Sequence, residues 1–239
     1  MASKLPWLAA SAASFFLVLQ LTACSSTPER EEAANIQVSN GVALLDGRIS
    51  VASFYRLRDA VSDGSVQRLA VNSEGGDPMA AMQIGYLLQR EQMTLDIRGA
   101  CERECANYLF TAAAQRRVYP DAIISWSGGA IEQSVILSWE SYILPGIRDF
   151  VTRYSDQYLR RETRFFERIG VDQYITSYGF HPRLGCTDSA RFYYSWPDLI
   201  SMGIGPTEFV GRSYARAFEH YPSDICRVDL SNRQLLLEP

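Results

Sequence analysis

"LAVNSEGGDPMAAMQIGYLL", residues 69–88, decides how the chain is read. Leu69-Ala70-Val71 is a short apolar run, as a buried strand requires. Asn72-Ser73-Glu74-Gly75-Gly76 then turns the chain sharply, and two adjacent glycines permit backbone angles closed to other residues. Asp77 is a good helix N-cap, and Pro78 fits the first helical position. The helix that follows, 78–92, is apolar over much of its surface through Met79, Met82, Ile84, Leu87 and Leu88. Strand, glycine turn and buried helix in immediate succession make one half of a β-α-β unit.

The pattern extends on both sides. Upstream, 36–49 reads as a strand pair with turns at Asn40-Gly41 and Asp46-Gly47. Residues 50–64 read as a helix with Phe54, Leu57 and Val61 on one face and Gly64 at its end; 67–73 is the strand already met. Downstream come a strand at 93–99, a helix at 105–119 that is buried at its start, and a strand at 122–129. A long amphipathic helix runs from Ile147 to Ile169, closed by Gly170, with Ile147, Val151, Tyr154, Tyr158 and Phe165 along one side. Arg148, Arg153, Arg160, Arg161, Arg164 and Arg168 decorate its remainder, as a solvated face or as a contact with anionic headgroups or a partner. An aromatic strand (190–196) and a short helix (197–203) follow, and 204–239 gives little signal. Strands alternating with helices over short connections predict an α/β fold with a mainly parallel sheet and a long helical arm.

The N-terminus speaks to compartment. Lys4 precedes an apolar stretch from Leu8 to Leu19, too short for a comfortable span, and Leu21-Thr22-Ala23-Cys24 matches a bacterial lipobox. Residues 1–23 are therefore expected to be a lipoprotein signal peptide. Cys24 is expected to carry the lipid, palmitate included, with 24–35 as a flexible tether. A domain at 36–204 and a C-terminal extension at 205–239 packed on it complete the expected organisation. Ser25 after the cysteine places the expected anchor in the outer membrane, facing the periplasm of a bacterial cell envelope.

Lys4 is the only lysine, so every other basic residue is arginine and lysine-based chemistry is excluded downstream of it. A net charge of −4 gives no support for nucleic-acid binding. Beyond Cys24 the cysteines are Cys101, Cys105, Cys186 and Cys226, an even number in a chain expected to meet oxidising conditions. Three pairings are possible, and locality in sequence favours Cys101–Cys105 with Cys186–Cys226. Neither a CxxC spacing nor a histidine cluster argues for a metal, and no cofactor is expected.

The motifs resemble those of the Clp protease/crotonase superfamily, and most of all its exported Clp-like branch. The supporting order covers 42–204: Gly47-Arg48-Ile49 before the first helix, then Asn72 to Gly76, then Gly99 before the helix that normally carries the nucleophile. "RRVYPDAIISWSGG" (116–129) matches the stretch that normally brings the histidine, and "YYSWPDLISMGI" (193–204) resembles the family's ending. The resemblance implies a fold of repeated ββα units and an oxyanion-hole-like groove built from Gly75, Gly76 and the backbone of Glu104. By position it places the catalytic serine, histidine and aspartate at Arg103, Ser127 and Arg191. Arginine is neither nucleophile nor general base, so the triad positions read as degenerate and no catalytic residue is assigned.

Three functions are weighed on this basis. The first is a membrane-anchored, non-catalytic Clp-like domain whose former active-site groove, with Arg103 at its tip, binds an anionic group, a peptide or a protein partner. The second is a cysteine-dependent hydrolase using Cys101 or Cys105 with His181 or, failing that, His220. The third is an assembly lipoprotein forming a homo-oligomer through 138–178. Ser73, which looks like a nucleophile in print, is expected to shape the turn.

Overall fold

A computed structural model describes residues 35–62, 64, 66–133, 148–213 and 216–231. The lipobox with Cys24, the tether up to residue 34, and residues 138–147 of the 138–178 segment lie outside the described residues.

The apolar runs fold as an α/β layer structure. Strands β1 (Asn35–Ser39), β2 (Val42–Asp46), β3 (Arg68–Ser73), β4 (Thr94–Glu102), β5 (Gln115–Val118), β6 (Ile123–Ser125) and β8 (Thr207–Phe209) form one seven-stranded sheet. Its order is β1-β2-β3-β4-β5-β8, with β6 also paired to β4. Only the β1–β2 pairing is antiparallel; the rest of this sheet is parallel, as expected. A second, two-stranded parallel sheet joins β7 (Arg191–Tyr193) to β9 (Ile225–Arg227). Leu69–Val71 of β3 and Leu95–Ile97 of β4 are buried without alternation, the signature of central parallel strands covered on both faces.

Helix α1 (Val51–Val61) opens with a capping box between Ser50 and Ser53. Helix α2 (Pro78–Arg90) opens as its sequence demands: Asp77 accepts the Ala80 N–H at 2.7 Å and Pro78 stands at the first turn. Removing that cap would cost about 1 kcal/mol. Helix α3 (Arg148–Ile169) packs its second half on α2, burying Tyr158, Phe165 and Phe166, and Gly170 ends it at φ +71°. Helix α4 (Trp196–Ser201) is capped by Ser195.

Three expectations are corrected. Strand β4 does not stop at Gly99 but continues to Glu102, because β6 supplies a partner for its last residues while β5 pairs with its first. The helix expected over 105–119 is a π-helix at Cys105–Phe110 followed by only two more helical residues, Thr111 and Ala112, and Gln115–Val118 is strand β5. Arg116 explains the stop: its buried guanidinium donates to the carbonyls of Phe110 (2.5 Å) and Thr111 (2.7 Å), satisfying helix-end acceptors. Burial lowers its pKa to about 10. Tyr154, expected on the packed side of α3, is 48% exposed. The C-terminal stretch that gave little signal contributes the edge strand β8 and the small-sheet strand β9.

Candidate functional site

The site lies at the C-terminal ends of β2, β3 and β4, where ligand crevices of parallel sheets form. Its floor depends on Asn72. The β3–β4 ladder pairs Val71 with Ile97 but Ser73 with Cys101, so β4 bulges opposite Asn72. The Asn72 amide fills that bulge, accepting the Ala100 N–H at 2.9 Å and donating to Asp46 at 2.8 Å. Gly99 makes room, since a Cβ there would stand 2.3 Å from Asn72 Oδ1. Ser73 shapes the turn as expected: its hydroxyl accepts the Gly75 N–H at 3.2 Å.

Gly75 and Gly76 adopt φ of +109° and +154°. Gly76 has no room for a side chain, because a Cβ would lie 2.1 Å from the Ile49 carbonyl oxygen. That close approach is a ladder: Ile49 N–H donates to Gly75 O at 2.9 Å, and Asp77 N–H donates to Ile49 O at 2.9 Å. The Gly-Arg-Ile turn after β2 therefore fixes the orientation of the Gly76 N–H.

That N–H is occupied from within. Glu104 folds its carboxylate over the turn and accepts from Gly76 N at 2.8 Å. Glu104 is half-buried at the tip of the π-helix; a groove role was expected of its backbone, and it is its side chain that reaches the turn. Arg103 beside it is exposed, takes a left-handed φ of +49°, and donates its Nε to the Glu74 carbonyl at 2.7 Å. Arg103 also lines a cleft of about 250 Å³ with Arg48, Asp46, Asn72 and Glu74. Cys101, the penultimate residue of β4, is disulfide-bonded to Cys105, the first residue of the π-helix, with Cα atoms 5.0 Å apart. The bond thus straddles the Arg103 turn rather than lying within a helix, and neither sulfur is a thiolate. Cys186–Cys226 forms the other disulfide expected.

The three positions at which the resemblance led a triad to be sought, Arg103, Ser127 and Arg191, lie on adjoining backbone. Arg103 N–H donates to Ser125 O at 3.0 Å, which sets the helix tip against the end of β6. Trp126 and Phe192 exchange backbone hydrogen bonds at 2.8 and 2.9 Å, so Ser127 and Arg191 flank one antiparallel bridge. The Arg191 side chain turns to Glu102 (3.0 Å) and Asp224, which hold its charge firmly and raise its pKa. His181 accepts the Arg183 N–H at 3.2 Å and caps its own turn, while His220 bonds Ala122 O at 3.0 Å and Arg212 at 3.2 Å. Neither histidine is joined to the cysteine pair.

A second acidic group, absent from the sequence reading, seals the turn after β6. Glu162 of α3 is fully buried and accepts from the Ala130 N–H (3.1 Å), Tyr108 Oη (2.7 Å) and Gln173 Nε2 (2.9 Å). Burial raises its pKa, and these donors pull it back toward the ionised form. Tyr158 shares a 2.6 Å hydrogen bond with Tyr108, and burial raises both phenols. Asn107 donates to Gly128 O at 2.8 Å, and Glu132 packs beside Gly128 with burial raising its pKa to about 7. Glu162 was detectable as an acid in the middle of the apolar stripe that Tyr158 and Phe165 define. Among the described residues no group of His, Cys, Asp and Glu could hold a metal ion.

No family model and no curated protein matches the sequence. Among solved structures, the chain is similar to a serine-to-alanine mutant of the membrane-bound stomatin-specific protease 1510-N, with 16% identity and a TM-score of 0.30. That match covers 35% of this chain and 44% of the protease chain. A lysine-to-alanine mutant of the same protease, in complex with a substrate peptide, matches with 14% identity and a TM-score of 0.30 over 37% of this chain and 46% of that one. An enzyme assigned as an enoyl-CoA hydratase from Streptomyces coelicolor A3(2) matches with 14% identity and a TM-score of 0.35, covering 84% of this chain and 74% of that one. The chain spans less than half of either protease chain. At such TM-scores these likenesses carry no argument. The architecture itself is α/β: a mainly parallel sheet with a double-glycine turn set against the tip of the next helix.

Proposed function

We propose that this is a non-hydrolytic, lipid-anchored envelope protein whose Clp-like groove reversibly binds a carboxylate, such as the free end of a peptide or an acidic loop of a partner protein. The observation that carries the reading is the Glu104 carboxylate on the Gly76 N–H. An amide aimed by the Ile49 ladder is here met by a carboxylate, so the turn already binds the ligand class proposed. Arg103, at the adjoining lip of the cleft, adds a guanidinium suited to a second carboxylate oxygen. A ligand carboxylate takes the amide when Glu104 swings out into solvent, which its partial exposure permits. The disulfide beneath Arg103 holds the tip in place during that exchange. The cysteine hydrolase reading loses its nucleophile to the same disulfide.

Calorimetry with a short acetylated peptide, as free acid and as C-terminal amide, tests this. The acid is expected to bind, the amide at least about tenfold more weakly, and Glu104→Gln to tighten the acid by removing its competitor. Equal binding of acid and amide, or cleavage of either peptide, overturns the proposal.

A further inference from the structure

We infer that the outward face of α3 is a docking surface for an anionic lipid bilayer. The helix has two unlike sides. Ser155, Tyr158, Glu162, Phe165 and Phe166 are buried against the domain. Arg153, Arg160, Arg161, Arg164 and Arg168 are all exposed. At roughly 100° per residue the five arginines fall within an arc of about 100°, opposite the buried side and about 22 Å long. Ordinary solubilising faces mix both signs, with acids placed to pair the bases. Here Asp156 and Glu167 sit at the rim, and among the described residues none of the five arginines forms an ion pair. Their near contacts are instead a backbone carbonyl for Arg160, a methionine sulfur for Arg161 and the Tyr86 ring for Arg168. Guanidinium groups held by such neutral contacts keep donors for phosphate oxygens.

The choice of a bilayer over a soluble anion or an acidic protein rests on shape, on flanking residues and on placement. The stripe follows a convex helix and none of its arginines lines the groove cleft or the aromatic cleft at Tyr193, Trp196 and Phe218, so it suits a broad planar charge better than a compact ligand. Tyr154 on the flank of α3 and Tyr174 just beyond it are 48% and 55% exposed, and amphipathic rings of this kind favour headgroup level. Placement rests on the lipid anchor proposed above: from Cys24 to Asn35 the chain reaches at most about 40 Å, which keeps the domain within touch of the surface. With a net charge of −4 for the whole chain, a single basic stripe would also orient the domain, turning its acidic remainder from the lipid.

The test uses the full chain with phosphatidylcholine vesicles, with or without phosphatidylglycerol. Partition is expected to rise with phosphatidylglycerol and to fall as salt is added. The triple variant Arg153→Gln/Arg160→Gln/Arg164→Gln is expected to lose on the order of a hundredfold of that increment, about fivefold per arginine, and to keep its partition to phosphatidylcholine. Hydrogen exchange is expected to slow across 153–168 on anionic vesicles and to stay unchanged with inorganic phosphate or polyglutamate. An increment untouched in the triple variant, or equal protection by either soluble anion, overturns the inference. Mass spectrometry of the N-terminal peptide for lipid on Cys24 judges the anchor separately, so failure of one reading is distinguishable from failure of the other.

Discussion

Two glycine pairs end two parallel strands in this molecule, Gly75-Gly76 after β3 and Gly128-Gly129 after β6. Both turns need positive φ, at +109° and +154° in the first and +101° at Gly128 in the second. Both present a backbone N–H, and a glutamate from a distant part of the chain meets each: Glu104 at Gly76 and Glu162 at Ala130. There the likeness stops. Glu162 is fully buried among three kinds of donor, so it is a structural lock. Glu104 reaches one amide from a partly exposed helix tip beside an exposed arginine, so it is a latch. One chemical device serves two purposes because burial decides whether water can replace the carboxylate.

Substitutions that separate lock from latch should span a wide range of stability. Gly76→Ala is expected to be the most damaging, by more than about 4 kcal/mol in urea unfolding, because its Cβ would strike backbone at Ile49. Gly129→Ala should cost less, since the nearest atoms its Cβ would meet belong to the side chains of Glu162 and Thr176 rather than to backbone; equal losses would break the contrast. Glu162→Ala should cost about 3 kcal/mol, because it removes from a buried site the carboxylate that accepts from Tyr108 and Gln173.

The pH dependence comes next. Burial raises the Glu132 pKa from 4.5 to about 7, so the folded state holds this proton more tightly than the unfolded chain. Its contribution is therefore complete below about pH 4.5 and lost as pH rises toward 7. Allowing for solvent screening of a half-exposed group, wild type should lose about 1–2 kcal/mol over that window relative to Glu132→Gln. Parallel stability–pH profiles for the two proteins would contradict this. Glu104→Ala should have the smallest effect, about 1 kcal/mol or less, and a loss as large as that of Glu162→Ala would make the latch a second lock.

Much of the scaffold was legible because its causes are local. Asp77 and Pro78 start α2, Gly170 ends α3, and Ser73 folds onto its own turn within two residues. The pairing of all four described cysteines also followed from locality. Arg116 was not legible as a helix stop, since a basic residue after an apolar helix looks like solvated surface. Only its burial against Phe110 and Thr111 reveals the cap. The extension of β4 past Gly99 was equally hidden, because β6 lies more than twenty residues downstream.

By itself the sequence determined the alternation of strands and helices and the double-glycine turn beside a helix tip. These are set by periodicity, capping and steric freedom within a few residues. Tertiary structure alone decided that Glu104 occupies the Gly76 amide, that Arg191 is held by Glu102 and Asp224, and that Glu162 is an interior acid. A carboxylate's role depends on which donors reach it and how much water remains, and those donors arrive from residues tens of positions away.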